Sequence, residues 1–430
     1  MVSSNILMYL LPFFVTPILS RIYDPSMFGE WGVFSSTFQI LNVILFLCYD
    51  YTIVKVSEKE YPISCKLCIF LSIAIVLIVA CAIAVGNYLE LSFIKNFPSK
   101  VCFIIILLVS AATVILQNMA NREQRYWVLS ISSVILGLSQ AICRIFLGFF
   151  CIFPNGLIAG TTIAQIICVI YLFIFVGDRF RKGFLNNSTL KDVYSFAKKY
   201  KKFPLFDAPA ALLTFATFNL SLIILSVFFS KSEIGCLSII HQMLLLPISL
   251  VGGALGKVYY QQITSPDLRS ENEMVVISQK MLKIVLYMSI VPTLFLVLGG
   301  DSLICIFLGS KWSNAGTIAI CMSIWSIPNI LTQPMIPIFR HLGKQNVMLY
   351  YNILNFTLAV GSLIVLCNLG ANIYITLIVY SWLSAVANYM MFFSIVKLSK
   401  VKVKNIATPL IIASHLCTIV VLLSRTSGLI

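Results

Sequence analysis

Few side chains in this sequence can do chemistry, and those few fall inside or at the edges of long apolar runs. Asp50 lies in CYDYTIV (48–54) and Asp207 in KKFPLFDAPA (201–210). Lys257 closes another run, with Gln261 and Gln262 about one helical turn beyond it. Arg144 shares a run with Gln140, Arg21 ends the first run, and Gln39, Asn42, Gln165 and Asn219 are amides near the middle of theirs. Ionisable groups in apolar segments are expensive, so each invites a functional explanation. Amides and hydroxyls with charges near the mouth of a cavity would suit a hydroxyl-rich neutral ligand bearing an anionic head. Asp50, Asp207 and Lys257 are also where charges that merely mark the water interface would fall, and Arg144 is placed to snorkel outward.

Other chemistry is poorly represented. The three histidines, His241, His341 and His415, form no H-E-x-x-H pattern; no G-x-S-x-G and no phosphate-cradling glycine loop occurs. His241 reads as a packing residue and His341 as part of a basic turn. Cys65 and Cys68 form a lone C-x-x-C, whereas zinc needs a second ligand pair. The thirteen cysteines therefore read as small apolar residues. Neither a catalytic site nor a metal or cofactor is expected.

The elements that would position these groups follow from composition. Apolar residues make up 60% of the 430, charged residues only 10%, and mean hydropathy is +0.98. That is too little charge for a water-facing surface. Runs of about twenty apolar residues cross roughly 30 Å of hydrocarbon, and backbone groups in lipid must be satisfied within the segment, which makes the runs helices. Breaks at charges and Pro/Gly clusters place spans at 3–20, 27–49, 67–88, 99–119, 127–148 and 155–176, then 205–229, 236–256, 277–299, 314–338, 348–367 and 373–396. A stretch at 406–424, after Lys397, Lys400, Lys402 and Lys404, would be a thirteenth crossing or a helix beside the core. The expected class is an all-α integral membrane protein of twelve or thirteen transmembrane helices. The first run has no basic residue before it and no small-residue cleavage site, unlike a signal peptide. An apolar run that begins after two residues leaves room for a few more upstream of Met1.

The net charge of +15 raises nucleic acid as a partner, but its distribution argues for topology instead. With the N-terminus in the cytoplasm, the inside connections hold 23 Lys and Arg and the outside ones five: Arg21, Lys95, Lys100, Lys231 and Lys311. This is the positive-inside asymmetry. No nucleic-acid partner is expected, whereas Lys198, Lys199, Lys201 and Lys202 are placed to meet anionic lipid heads.

An internal repeat organises the chain. LSRIYDPSMFG (19–29) aligns without gaps on LSVFFSKSEIG (225–235), with Leu19/Leu225, Ser20/Ser226, Ser26/Ser232 and Gly29/Gly235 identical. The offset of 206 residues equals six helices plus a linker. Six is even, so both halves enter the membrane in the same direction, a parallel repeat. The expected domains are a six-helix lobe at 1–176, a basic cytoplasmic linker at 177–204, a second six-helix lobe at 205–396, and a basic segment with the extra apolar stretch at 397–430. Two such lobes tend to enclose a cavity and rock between inward- and outward-open states. Prolines within the runs (Pro12, Pro17, Pro209, Pro247, Pro328, Pro334, Pro337) kink helices, and Gly252, Gly253 and Gly256 permit close helix approach.

PILSRIYDPSMFGEWGVFSS (17–36) resembles the bacterial O-antigen and capsule flippases, which are related to the multidrug and toxin extrusion (MATE) transporters. Pro17, Leu19, Ser20, Arg21, Tyr23, Pro25, Phe28 and Gly29 carry the likeness. CYDYTIV, Asn121–Arg122, KKYKKFPLFDAPAALL (198–213), the run from Gly235 to Pro247, and FLGSKWSNAG (307–316) follow in order. The resemblance implies a two-lobed MATE-like fold in the bacterial inner membrane. It also implies transfer of an undecaprenyl-pyrophosphate-linked oligosaccharide to the periplasmic leaflet, for lipopolysaccharide O-antigen, capsule or exopolysaccharide. The partners it suggests are the lipid-linked sugar, membrane lipids, a polysaccharide polymerase and a chain-length regulator. Candidate residues on the route are Arg21, Asp50, Arg144, Asp207, Asn219, Lys257 and Gln261. The alternatives are a cation-coupled small-molecule exporter, which calls for a carboxylate cluster deep in one lobe, and an envelope enzyme such as a polymerase or acyltransferase, which calls for a large external loop or a catalytic motif.

Overall fold

The computed structural model describes residues 2–184, 189–264 and 271–401. The predicted stretch 406–424, with Lys402, Lys404 and His415, lies outside the described residues. In the first part of the chain the helices are α1 (Val2–Ile22), α2 (Pro25–Ile44), α3 (Asp50–Lys55), α4 (Tyr61–Tyr88), α5 (Ser92–Lys95), α6 (Lys100–Arg122), α7 (Tyr126–Phe150), α8 (Gly156–Phe184) and α9 (Leu190–Lys199). A π-helical turn, Phe203–Asp207, leads into α10 (Ala208–Phe228). Then come α11 (Lys231–Ile263), α12 (Glu271–Leu308), α13 (Ser313–Thr332), α14 (Pro337–His341), α15 (Gln345–Asn368) and α16 (Ile373–Leu398).

Twelve of these helices have twenty residues or more, and each of the twelve predicted spans falls on one of them. Among the described residues seven helical stretches are long and apolar enough to cross a membrane by length and composition, and α1 and α10 contribute shorter apolar stretches. The chain is an all-helical, multi-pass membrane protein.

Packing divides it into two compact units, Met1–Ile223 and Ile224–Ile430, with the boundary inside α10. The 206-residue offset reappears in the element ends. α1 and α10 share a length of 21 residues, ending at Ile22 and Phe228, and the next helix in each case is capped by the equivalent residue, Asp24 or Ser230. Leu19 and Leu225 are both buried, as are Phe28 and Ile234. At the second copy Ser230 and Glu233 form a reciprocal capping box, which satisfies two orphan helix-start donors.

In the first unit α7 packs on α8 and α1, and α6 lies against α2, α3, α4 and α8. Phe34 and Phe97 each meet the Phe103 ring edge-on in its core, with centroids 5.4 and 4.9 Å from that of Phe103. In the second unit α13 is enclosed by α11, α12 and α16, and nearly every residue from Ala315 to Thr332 is buried. Pro334 and Pro337 break the predicted span 314–338 into α13, a 3-10 turn at Gln333–Met335, and α14. Gly252 lets α11 approach that turn: a Cβ there would sit 2.9 Å from Cβ of Gln333.

Two further departures from the sequence expectation concern Asp50 and Lys257. The predicted span 27–49 does not run unbroken to Asp50. Helix α2 stops at Ile44, and Leu47 (φ 47°) and Cys48 (φ 62°) turn left-handed before α3 restarts at Asp50. Neither residue is a glycine, and each such turn costs about 1–2 kcal/mol. No proline or glycine marks the break, because contacts from α6, α4 and α9 hold it. Lys257 does not close its helix either: α11 runs on to Ile263.

Candidate functional site

A series of polar contacts runs through the first unit along α6, between two charged clusters. α6 contributes Ser110, Thr113, Asn118 and Arg122, whose spacing keeps them on about half of the helix circumference. Ser110 donates to Asn42 Oδ1 at 2.7 Å, and Gln165 Nε2 donates to Thr113 Oγ1 at 3.3 Å. Two of the amides read from sequence as mid-span polar groups are thus partnered across helices. Unpartnered, each would cost kilocalories in hydrocarbon.

At one end lies Asp50, half-buried, whose Oδ2 accepts from Asn118 Nδ2 at 3.3 Å. Arg122 fastens the short helix that Asp50 begins. Its Nη1 donates to the carbonyls of Ile53 (2.8 Å) and Val56 (2.7 Å), and its Nη2 pairs with Glu58 at 3.0 Å. Its guanidinium lies 4.9 Å from the Tyr61 ring centroid. Thr52 and Ser64 hydroxyls meet at 2.7 Å, and Tyr49 donates to the Ala197 carbonyl of α9 at 2.9 Å. Asp207 reaches the same place from the π-helical turn, and both carboxylates act electrostatically on the Cys48 thiol and on Tyr51.

Toward the other end Arg144 is buried, 9% exposed, rather than snorkelling outward as its position in the run allowed. Its Nε and Nη2 donate to Thr161 Oγ1 at 3.2 and 2.8 Å, and its guanidinium lies 4.9 Å from the Trp31 ring centroid. The backbone around it is pinned by Tyr23, whose hydroxyl donates to the Arg144 carbonyl at 2.6 Å. Gly160 admits the arginine: a Cβ there would meet Arg144 N and Cγ at 2.9 Å. No carboxylate forms an ion pair with Arg144 among the described residues. The Trp31 indole N–H is buried and has no acceptor there either. Guanidinium and indole only donate, so this cluster has donors in excess.

The remaining candidates are not drawn together. Arg21 is exposed at the end of α1, and Lys257 and Gln261 are exposed on α11 of the second unit. Asn219 is buried but donates to Phe215 O of its own helix at 2.9 Å. His241 is buried 6.1 Å from the Trp325 ring, consistent with packing. Cys65 and Cys68 are both buried on α4. Among the described residues no group of three His, Cys, Asp or Glu could hold a metal ion. Trp31, Thr161 and Asn118 escaped sequence reasoning. Their only signal was proximity to motif residues: Trp31 follows FGE in the segment that carries the family likeness, and Asn118 precedes Asn121–Arg122.

An ion pair at the linker closes the Asp50 end. Lys199 pairs with Glu60, whose other oxygen accepts from Tyr200 at 3.0 Å. The bond from Lys199 holds the Glu60 carboxyl below the usual carboxylate range, and Glu60 holds Lys199 above its ordinary value. A depressed carboxylate stabilises above its unfolded value, about 4.3, and loses that contribution as pH falls through the folded value. A raised lysine keeps its contribution below about 10.4 and loses it above the folded value. The pair is exposed and modest in effect. A dye on Ser195→Cys is therefore expected to report an unchanged linker between about pH 5 and 9 and a loosening below about pH 4. Glu60→Gln should remove the acid transition, and an equal transition in that variant would reject the pair as its cause.

The described residues form twelve long helices in two compact units, with polar contacts threaded through the first. The fold is shared with solved membrane proteins of known function. The lipid II flippase MurJ, in an inward closed conformation, matches with a TM-score of 0.70 and 13% identity, over 98% of this chain and 92% of that one. An inward-facing multidrug-resistance MATE transporter of the MOP superfamily matches at 0.67 and 12%, over 92% and 96%. A eukaryotic MATE transporter matches at 0.58 and 14%, over 98% and 96%. No curated protein matches the chain by sequence. The chain belongs to the polysaccharide biosynthesis protein family, whose model matches residues 18–317.

Proposed function

We propose that this protein carries an undecaprenyl-pyrophosphate-linked oligosaccharide from the cytoplasmic to the periplasmic leaflet of the bacterial inner membrane. In this proposal the N-terminus is cytoplasmic and the protein acts without catalysis, ahead of a polysaccharide polymerase and chain-length regulator that build O-antigen, capsule or a related polymer. The observation that carries it is the buried pair of donor-rich groups, Arg144 and Trp31, beside a run of amides and hydroxyls. An anionic diphosphate supplies the acceptors such a cluster calls for, and sugar hydroxyls exchange bonds with amides at little cost. Outward movement of a diphosphate from a negative interior gains roughly 2.3 kcal/mol per charge per 100 mV. Membership of a polysaccharide biosynthesis family supports the cargo class, and one protein that shares the fold is named a lipid II flippase.

The test is a deletion strain with labelled lipid-linked glycans. Repeat units should accumulate on the cytoplasmic face, with surface polymer lost and restored by the gene. Single repeat units that reach the outer face but stay unpolymerised would reject translocation in favour of an enzyme.

A second reading, a cation-coupled exporter of small molecules, draws on the approach of Asp50 and Asp207 to Cys48. It requires that Asp50→Asn and Asp207→Asn abolish export of a small cation-exchanged solute, and an unaltered glycan distribution in the deletion strain would favour it.

A further inference from the structure

The linker helix α9 presents two different faces. Thr189 and Asp192 start it with a capping box, Thr189 N donating to Asp192 Oδ2 at 2.8 Å. One face, Val193 and Phe196, is buried against the first unit, where α9 packs on α4. Ala197 and Lys199 add the bonds to Tyr49 and Glu60 described above. The other side leaves Leu190 75% and Tyr194 73% exposed, and Leu205 beyond the helix 60%. Lys191, Lys198, Lys201 and Lys202 are exposed as well. At about 100° per residue, Leu190, Tyr194, Lys198 and Lys191 follow one another around roughly a quarter of the helix circumference. The apolar pair lies next to the docked face, and the lysines lie further round. Asp192 is engaged in the cap, and among the described residues no carboxylate forms an ion pair with Lys191, Lys198, Lys201 or Lys202.

The position of the helix identifies what the strip meets. Each crossing reverses direction, so the start of α4 and the ends of α6 and α8 share one membrane face. α9 follows α8 and packs on the start of α4. It therefore lies where hydrocarbon gives way to headgroups. A leucine and a tyrosine flanked by lysines match that boundary. The apolar bodies enter the acyl edge, the phenol sits among headgroups, and the ammonium groups reach outward.

We propose that α9 is an interfacial helix that seats the linker on anionic phospholipid. Leu190 and Tyr194 are its wedge, and Lys191, Lys198, Lys201 and Lys202 are its headgroup contacts. Lys199, which the sequence grouped with the lipid-binding lysines, serves instead as the internal fastener to Glu60. Because Tyr49 bonds to Ala197 beside Asp50, lipid seating of α9 steadies the charged end of the polar series. The inference holds whatever the cargo.

The test uses the full chain in nanodiscs of phosphatidylcholine alone or mixed with phosphatidylglycerol. A polarity-sensitive dye is placed at Leu190→Cys or, as a control on the exposed side beyond the lysines, at Ser195→Cys, in a background without accessible cysteines. The Leu190 dye is expected to shift blue and to be quenched several-fold more by a lipid-phase quencher when phosphatidylglycerol is present. Replacing the four lysines with glutamine should abolish that dependence while the Ser195 dye stays water-exposed. A Leu190 dye as wet as the Ser195 dye in both discs would overturn the proposal. Equal embedding in neutral discs, unaffected by the glutamine variant, would overturn recognition of anionic lipid.

Discussion

Replacing Arg144 with methionine is expected to lower polymer export more than tenfold while leaving the protein folded and at normal level in the membrane. The arginine is buried, and its partners are a hydroxyl and an aromatic face. Burying a charge is expensive unless it is paired, and Arg144 has no ion pair to lose among the described residues, so an apolar side chain of similar volume keeps the packing. An arginine kept only for stability would therefore be replaceable here. A charge-assisted bond to a diphosphate is worth about 1.5–3 kcal/mol, and about 1.4 kcal/mol is tenfold. Arg144→Lys keeps the charge but loses the fork and the stacking on Trp31, so it should fall between the two. Surface polymer in a complemented deletion strain, normalised to membrane-inserted protein, is the measurement. Export by Arg144→Met at the native rate would remove this cluster from the transport route.

Arg122→Ala is expected to destabilise the first unit by about 3 kcal/mol and to release α3. Two of the arginine's bonds go to carbonyls at the end of that helix, which have no partner of their own at a helix terminus. Charge-assisted bonds of this kind contribute about 1.5–3 kcal/mol each and do not add fully. The third bond goes to Glu58, which is 74% exposed and contributes little. Release matters because the two left-handed residues before α3 are unfavourable without these fasteners. Cys48, 5% exposed in the intact fold, is a built-in reporter. In a variant that retains it as the sole cysteine, Arg122→Ala should lower the unfolding midpoint and make Cys48 reactive to maleimide. Arg122→Lys, which cannot span two carbonyls at once, should recover only part of the loss. Unchanged labelling of Cys48 would show that α3 is held by Thr52–Ser64 and Tyr49–Ala197 alone.

Arg144 and the Asp50 region differ in how much of each is legible in the chain. Arg144 stood out because a charge inside an apolar run is costly wherever the run ends up, and that cost is readable from type and position. Whether the side chain turned inward or snorkelled out depended on Gly160, Thr161 and Trp31, which approach it only once α2, α7 and α8 have packed. Asp50 was likewise visible, but its helix break was not. The residues there have no breaking character of their own, and the break exists because α6 and α9 supply partners from about seventy and one hundred and fifty positions away.

The class, the twelve long helices and the 206-residue repeat are legible in the chain alone. Hydrocarbon permits one solution to the backbone's hydrogen bonds, and that solution is written in runs of apolar residues. Which polar groups meet was settled by packing. It paired Asn42 with Ser110, Gln165 with Thr113 and Asp50 with Asn118, and it left Arg21, Lys257 and Gln261 at the surface. A polar side chain announces its cost in the sequence. Its partner is chosen by helix rotation and packing, which are set by contacts between segments far apart in the chain.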